Sequence, residues 1–462
     1  MNKVKELHTL KRNTIIIAIS NIGSKAIAFI LAPLYSYYLS PEQYGVMDLI
    51  ITMGGLLLPV LCLDIFEATF RYTSDSKYSR RTVLSSSLFI LILETAIICI
   101  GLTAISQFIS IPYYLIIVLV CTELDSLFQV LIQFVRGKNM MISYAFSGIV
   151  YSVTLLISNL CLLVLMARSL DGWIISFLIA KSLTCIYAAI VSKVWTEFSW
   201  NHVSKEFISE ALAYCLPLLP NMIMWWIMNL SDRLLITFYI GVAATGIYAV
   251  ASKVPSILGV FENIFFQSWQ TSAINTVNGE DRDAFYSRVF EKYMIFLTLG
   301  ILGVLIILKP IINIFSNEYS LAWGSSGILV ITVMLHALGG NLGALYAALK
   351  STKGALLTSL YGALTNIVLN IFLIPIWGLV AAAITTLIGY AVVLAMRWVD
   401  LRKYVKLKIG FRNVLFCSLL IVFQTCLYYL NHFNAYLVII QIIVLTIGCI
   451  VYKKDIFALM RK

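Results

Sequence analysis

The chain has 462 residues, of which 61% are hydrophobic and only 12% charged, and its formal net charge is +11. A soluble chain of this length would carry about a quarter charged residues and would divide into two or three domains. With a mean hydropathy of +0.93, these values exclude a water-soluble protein, a disordered chain, a coiled coil and a disulfide-rich secreted scaffold. They predict an all-α polytopic membrane protein.

The membrane spans can be located from hydrophobic length, because a helix needs about 20 apolar residues to cross the hydrocarbon core. The first such segment contains Lys25 and lacks a small-x-small cleavage site, which argues against a cleaved signal peptide. The connectors are short, so we expect no inserted soluble domain. About fourteen segments qualify, near residues 14–38, 47–70, 83–108, 112–135, 142–166, 173–194, 211–240, 243–274, 293–314, 322–349, 355–375, 378–396, 412–430 and 434–452.

Lys and Arg concentrate in alternate connectors, as the positive-inside rule requires if the N-terminus is cytoplasmic. Most of the 33 cations then fall in cytoplasmic stretches, including Arg397 and the basic residues that follow it. This distribution predicts that both termini are cytoplasmic, and it attributes the net charge to topology rather than to nucleic-acid binding. A charge inside a span costs at least about 2.5–3.5 kcal/mol and often marks function. Four cations lie inside apolar segments: Lys25, Lys181, Arg233 and Lys253.

Internal similarity predicts that the chain is a parallel duplication of six helices, a construction common in transporters. The spacing of Tyr38-Leu39 and Gly45-Val46 recurs in Tyr239-Ile240 and Gly246-Ile247, and weaker matches follow in the same order. The predicted division is an N-terminal lobe (1–195), an amphipathic cytoplasmic connector (196–210), a C-terminal lobe (211–400) and a further helix pair with a cytoplasmic tail (401–462). For the connector, an ordinary loop is the alternative.

Polar residues recur at helical spacing within several spans and so share a face. Such a stripe either lines a water-filled path or packs one helix against another. The embedded cation favours a cavity in the spans that hold Lys25, Arg233 and Lys253, whereas the small-residue stripe at 359–370 favours packing. The polar residues predicted to line the cavity are Asn21, Asn221, Asn229, Asp232, Ser256, Asn263 and Gln267.

Acidic residues inside the spans suggest a coupling ion. Asp64, Glu67 and Arg71 share one face, and the spacing of Glu67 and Arg71 favours a structural ion pair. The alternative is that Asp64 or Glu67 binds a proton or Na⁺ and couples it to transport. Snorkelling or a local partner would explain Lys181 equally well. The sequence indicates no partner for three other acids: Glu94, Glu123 and Asp125.

Motifs for catalysis or metal binding are missing from the sequence. The nine cysteines form no CxxC pair, and the four histidines have no metal-ligand spacing. There is no Walker loop, dinucleotide-binding motif or nucleophile elbow. We therefore predict no catalytic residue, metal or cofactor beyond coupling to an H⁺ or Na⁺ gradient. Cations converging on a cavity imply an anionic substrate such as a phosphate or diphosphate.

Several short motifs carry a family resemblance. They are Leu216-Pro217-Leu218-Leu219-Pro220, Ser231-Asp232-Arg233 and the run from Gly246 to Lys253, GIYAVASK, together with residues 38–45, YLSPEQYG. They resemble bacterial polysaccharide-repeat flippases, the Wzx-type O-antigen and capsule exporters of the MOP superfamily. The resemblance implies two six-helix lobes around a cationic central cavity. It also implies alternating-access transfer of an undecaprenyl-diphosphate-linked oligosaccharide across the bacterial cytoplasmic membrane.

By position, the resemblance makes Lys25, Arg233 and Lys253 the anion-binding candidates. The implied partners are the lipid-linked oligosaccharide, the bilayer and other membrane proteins of polysaccharide assembly, but no nucleic acid. One alternative is a MATE-type small-molecule antiporter, although a cationic substrate suits a carboxylate-lined cavity better than a cationic one. The other is a membrane polysaccharide polymerase or ligase, which usually needs a large external loop.

Overall fold

The computed structural model describes residues 23–75, 77–217, 219–277, 279–349, 351–430 and 435–453. Secondary structure in these ranges is entirely helical, so the all-α prediction is confirmed. The chain divides into two compact units, Met1–Trp226 and Ile227–Lys462.

In the described part of the N-terminal unit, the first helix, α1, covers residues 23–38. The next helices are α2 (Pro41–Leu61), α3 (Ile65–Asp75), α4 (Arg80–Ser106), α5 (Tyr113–Gly137), α6 (Met141–Asn159), α7 (Leu170–Ser192), α8 (Val194–Glu197) and α9 (Lys205–Cys215). A π-helical turn, Leu160–Leu165, extends α6. Helix α10 (Leu219–Tyr239) runs from the first unit into the second. The C-terminal unit continues with α11 (Val242–Ala251), α12 (Lys253–Thr276), α13 (Arg282–Ile312), α14 (Ala322–Ala348), α15 (Thr352–Leu401), α16 (Phe411–Leu430) and α17 (Ala435–Val451).

Hydrophobic length sets the membrane-spanning helices. Within the described ranges, nine helices are long and apolar enough to cross a bilayer, and the pair α11–α12, bent by 45°, would make ten. Ten of the fourteen apolar segments predicted from sequence overlap these nine helices, and the segment at 243–274 overlaps the bent pair, which confirms a polytopic membrane protein. The total of about fourteen spans stays a prediction.

The second predicted span is broken in the middle. Helix α2 ends at Leu61 and α3 begins at Ile65, and both Leu63 (φ 50°) and Asp64 (φ 58°) are left-handed. Left-handed backbone costs a residue with a Cβ on the order of 1–2 kcal/mol, so the surrounding packing must hold the break. The thiol of Cys215 on α9 contributes by donating to the carbonyl oxygen of Asp64 at 3.2 Å.

The segment between α7 and α9 is docked on the N-terminal unit. The backbone N–H of Ser199 donates to Ser85 Oγ at 2.9 Å, and that of Ser204 donates to Ser86 Oγ at 3.0 Å. At α9, Glu210 accepts hydrogen bonds from Lys77 Nζ and Tyr78 Oη, at 2.7 and 2.6 Å. Polar bonds at successive points therefore fix this segment along the end of α4.

The Glu210 contacts make this docking dependent on pH. The Lys77 ammonium, followed by the Tyr78 hydroxyl, lowers the pKa of Glu210, so the stabilisation is present above the usual Glu pKa and is lost as pH falls through the lowered one. We expect Glu210→Gln to increase proteolysis of the 193–204 segment slightly at neutral pH, because an exposed ion pair contributes little. It should also remove the acid dependence of that cleavage. Glu206→Gln, which changes an exposed acid of the same helix, is the control. Acid dependence in Glu210→Gln equal to that of the wild type would contradict the assignment.

Helix α15 is a hairpin of two antiparallel arms rather than one continuous rod. Gly378 interrupts the helical backbone with φ 62° and ψ −138°, a conformation that favours glycine. Residues on either side of it then meet in pairs, as when Asn366 Nδ2 donates to Thr386 Oγ1 at 3.4 Å. The two spans predicted at 355–375 and 378–396 are these arms, joined without a loop.

The prediction that Arg397 lies in a basic connector is wrong. Its side chain is 3% exposed within the second arm of α15, where it donates to Gly339 O, Ser359 Oγ and Thr358 Oγ1 at 2.7, 2.9 and 3.2 Å. A guanidinium can satisfy several neutral oxygen acceptors at once, which is why this cation is held inside the helix packing.

Helices α16 and α17 pack on the C-terminal unit. Leu420, Leu427 and Val444 are buried together with Leu302 of α13, and Gln424 Nε2 donates to the carbonyl oxygen of Leu302 at 3.1 Å. The appended pair predicted from sequence is therefore built into this unit by apolar packing and a buried hydrogen bond.

Candidate functional site

The three cations predicted to bind an anion lie on three different helices. Lys25 is exposed on α1, and Arg233 is half-buried on α10. Lys253 is half-buried and begins α12, directly after the break at Ser252 that bends α11 against α12 by 45°. Each of the three cations therefore lies on a helix within an apolar stretch of the chain, and Lys253 lies next to a bend.

Of the polar residues predicted to line a cavity, Asn21 lies outside the described residues, as do the side chains of Asn221, Asn229 and Gln267. Ser256 and Asn263 are exposed on α12. Their side chains donate to carbonyl oxygens of their own helix, Ser256 to Lys253 at 2.6 Å and Asn263 to Gly259 at 2.9 Å.

Asp232 is the centre of a buried polar network in the C-terminal unit. It is 4% exposed. Its carboxylate accepts hydrogen bonds from Asn370 Nδ2 at 2.5 Å, Thr386 Oγ1 at 2.6 Å and Asn366 Nδ2 at 3.2 Å. Tyr248 of α11 adds a longer contact from its hydroxyl, at 3.4 Å. Both arms of the α15 hairpin and α11 therefore converge on one carboxylate of α10.

A second layer of bonds orients the amides of this network. Ser231 Oγ donates to Asn366 Oδ1 at 3.0 Å, and Thr385 Oγ1 donates to Asn370 Oδ1. The amide groups consequently turn their nitrogens toward Asp232. The donors of the network are therefore directed at the Asp232 carboxylate, an arrangement that stabilises its negative charge inside the helix packing.

Asp64 is the corresponding buried acid of the N-terminal unit. It is completely buried at the α2–α3 break, and no donor among the described residues reaches either carboxylate oxygen. Glu67 is half-buried on α3. Within the described ranges it forms no ion pair with Arg71, whose guanidinium instead lies over the Tyr214 ring, 4.9 Å from its centroid. The predicted Glu67–Arg71 pair is therefore replaced by a contact between Arg71 and an aromatic ring.

Two other embedded charges have partners that the sequence did not reveal. Lys181 of α7 is paired with Asp125 of α5 and lies over the Tyr151 ring, 5.0 Å from its centroid. Glu262 of α12 lies 2.7 Å from Nδ1 of His336 on α14. Both pairs join neighbouring helices, so the local-partner explanation for Lys181 is the one that the structure supports.

Sequence reasoning missed Tyr248, Thr385 and Thr386 as members of the Asp232 network. Two adjacent threonines in an apolar span were the available signal, and Tyr248 lies within a motif that carried the family resemblance. Within the described part of the chain, no group of three or more His, Cys, Asp or Glu side chains could hold a metal ion.

Comparison with solved structures defines the class of the fold. The lipid II flippase MurJ, in its inward closed conformation, covers 97% of this chain and 100% of its own, with a TM-score of 0.73 and 15% identity. An inward-facing MATE multidrug resistance transporter of the MOP superfamily covers 84% of this chain and 98% of its own, with a TM-score of 0.65 and 12% identity. A mutant of the Vibrio cholerae MATE transporter VcmN covers 87% of this chain and 98% of its own, with a TM-score of 0.59 and 15% identity. The chain therefore has the fold of the MOP-superfamily transporters.

Sequence comparison identifies the family. The family model described as polysaccharide biosynthesis protein matches residues 10–269, which is more than half of the chain and includes Lys25, Asp64, Arg233 and Lys253. None of the curated proteins matches the sequence significantly. The chain belongs to the polysaccharide biosynthesis protein family and is a multi-pass membrane protein.

Proposed function

We propose that this protein is a flippase that moves an undecaprenyl-diphosphate-linked oligosaccharide across the bacterial cytoplasmic membrane, by alternating access, for O-antigen, capsule or another surface polysaccharide. The observation that carries the proposal is the family match, which spans the three membrane-embedded cations. A diphosphate would offset the cost of holding Lys25, Arg233 and Lys253 in apolar helices. In this assignment both termini are cytoplasmic, and no step requires a catalytic residue.

The extent of the fold similarity supports a flippase over a drug antiporter. The solved flippase covers 97% of this chain, whereas the MATE transporters compared above cover 84% to 87%. Cationic drugs would also meet Lys25, Arg233 and Lys253 as like charges. A polymerase or ligase receives less support, because no connector in the described ranges holds a folded domain.

Charge-neutral substitution of the three cations tests the proposal. We expect Lys25→Gln, Arg233→Gln and Lys253→Gln each to lower surface polysaccharide about tenfold or more, because each removes a charge-assisted contact of about 1.5–3 kcal/mol. The measurement is complementation of a flippase-deficient strain, with membrane abundance and the inner-leaflet pool of lipid-linked repeat units quantified in parallel.

Lys205→Gln is the matched control, since Lys205 is exposed at the start of α9, outside the predicted anion site. It should keep full complementation. Wild-type levels in all three single variants would overturn the assignment of these cations. Resistance to organic cations without complementation would instead identify an antiporter.

Coupling to an ion gradient is assigned to buried aspartates, one in each unit. Asp64 meets no donor among the described residues, and Asp232 is surrounded by oriented amides and hydroxyls. A carboxylate held at membrane depth is costly unless it binds a proton or a cation during the cycle. We propose that H⁺ or Na⁺ exchange at Asp232 and Asp64, with Glu67 next to Asp64, drives the conformational change.

A further inference from the structure

Two glutamates from neighbouring helices bring their carboxyl groups together inside the N-terminal unit. Glu94 of α4 is 8% exposed, and its carboxyl lies next to that of Glu123 on α5. No N–H or O–H group of a described residue donates to either oxygen of Glu94 or to Oε1 of Glu123. Thr95 Oγ1 donates to the other oxygen of Glu123 at 2.5 Å. Two neighbouring carboxylates that meet so few donors repel each other, and a proton held by one of them would remove that repulsion and supply a donor.

The surroundings provide no cation that could replace that proton. Among the described residues, no Lys or Arg is paired with Glu94 or Glu123. Cys62, at the α2–α3 break, is the other titratable side chain that interacts electrostatically with Glu94. Four cations of this unit have other neighbours: Lys181 with Asp125, Lys138 with Glu197, Lys77 with Glu210, and Arg71 over Tyr214.

The carboxyl pair borders a cavity. Glu123 and Thr95 line an apolar groove of about 750 Å³ between α4, α5 and three residues at α8, Val194, Trp195 and Phe198. One turn along α5 from Glu123, Ser126 is completely buried, and its hydroxyl has no hydrogen-bond partner among the described residues. A buried hydroxyl one turn from Glu123 provides a further group on α5 that can accept or donate a hydrogen bond.

We propose that Glu94 and Glu123 form a proton-binding site, in which the two carboxyls share one proton and Thr95 orients Glu123. Two adjacent carboxylates in an apolar environment repel each other and are poorly solvated. Release of the shared proton therefore requires α4 and α5 to separate or water to enter from the groove. Proton binding is thus linked to the packing of these two helices. The site is distinct from Asp64 and Asp232, and proton binding there does not depend on which substrate the protein moves.

Labelling with the apolar reagent dicyclohexylcarbodiimide tests the site, because this reagent modifies protonated carboxyls in apolar surroundings. The purified full-length protein would be labelled across a pH series, and adducts would be located by peptide mass spectrometry. We expect an adduct on Glu123 or Glu94 whose yield falls as pH rises. In Glu94→Gln, labelling of Glu123 at neutral pH should fall several-fold, because the shared proton is lost.

Glu206→Gln, which removes an exposed acid of the same unit, should leave the labelling unchanged. Size-exclusion profiles establish that the variants remain folded. If a variant does not fold, the pH series on the wild-type protein still tests the proposal. The proposal is overturned if neither glutamate is labelled, or if the labelling is independent of pH. Protection by Na⁺ at constant pH would also overturn it, because the ligand would then be a metal cation rather than a proton.

Discussion

Replacing Asp232 with alanine should abolish surface polysaccharide in the complementation assay and lower the thermal stability of the purified protein. The carboxylate is 4% exposed and accepts hydrogen bonds from both arms of the α15 hairpin. Its loss leaves the donors of Asn366, Asn370 and Thr386 without an acceptor. Each unsatisfied donor should lower the free energy of unfolding by about 1 kcal/mol. The loss of transport follows in addition from the loss of the proposed ion site.

Asp232→Asn separates the two roles, because asparagine keeps the shape and one acceptor oxygen but cannot carry the charge. We expect near-normal membrane abundance, with surface polysaccharide at the background level. The melting temperature of the purified variant should no longer respond to added Na⁺ or to the part of the pH dependence that Asp232 contributes. Asp171→Asn, an exposed aspartate at the start of α7, is the control with full activity. Wild-type polysaccharide in Asp232→Asn would contradict the coupling role and leave Asp232 a structural residue.

Replacing Arg397 with lysine should have the largest effect on folding. The guanidinium reaches three acceptors on α14 and the first arm of α15, whereas a lysine ammonium is a point charge that cannot match this geometry. We expect a stability loss of about 3 kcal/mol, measured as a lower melting temperature and a smaller monodisperse fraction after extraction. Retention of wild-type stability would show that the buried hydrogen bonds are dispensable.

Gly343 offers an independent test of the Arg397 site. A Cβ at Gly343 would lie 2.6 Å from Nη1 of Arg397, so Gly343→Ala should displace the guanidinium and lower stability. In an Arg397→Met background the same change should cost much less, because the clash is removed. Gly303→Ala on α13 is the matched control, since a Cβ added at Gly303 would meet no described atom within 4 Å. Equal costs of Gly343→Ala in both backgrounds would contradict the clash.

The positions of the helices could be predicted because hydrophobic length is a local property of the chain. Even the hairpin at Gly378 was visible as two apolar segments, although the sequence did not show that a single glycine joins them. The α2–α3 break was not foreseen. It depends on two left-handed residues, Leu63 and Asp64, and these are held by α9, which comes much later in the chain.

The candidate site could be predicted only in part. Asp232 and the three cations stand out as charges within apolar segments, but their partners depend on how distant helices rotate against each other. The sequence favours packing for the small-residue stripe at 359–370. In the structure, Asn366 and Asn370 both join the two arms of α15 and belong to the Asp232 network. Their role was ambiguous in the sequence because a face that packs and a face that binds can share the same residues.

The acids Glu94, Glu123 and Asp125 illustrate the same limit. Glu123 and Asp125 are two residues apart on α5, yet the first meets Glu94 of α4 and the second meets Lys181 of α7. Residues two apart on a helix point in different directions, so which neighbour each one reaches is set by packing. The sequence places Arg397 in a connector because it follows an apolar run, whereas the packing of α14 and the first arm of α15 around it makes it a buried residue.

The tight reversal at Gly378 has a consequence for biosynthesis. Residues 374–380, IPIWGLV, contain no charge, so the tip of the hairpin brings no polar loop that must be carried across the bilayer. The first arm alone would present the amides of Asn366 and Asn370 to lipid, whereas the second arm supplies Thr385 and Thr386 as partners. This pairing favours partitioning of both arms from the translocon as one hairpin, because the amides are then matched before they reach the acyl chains.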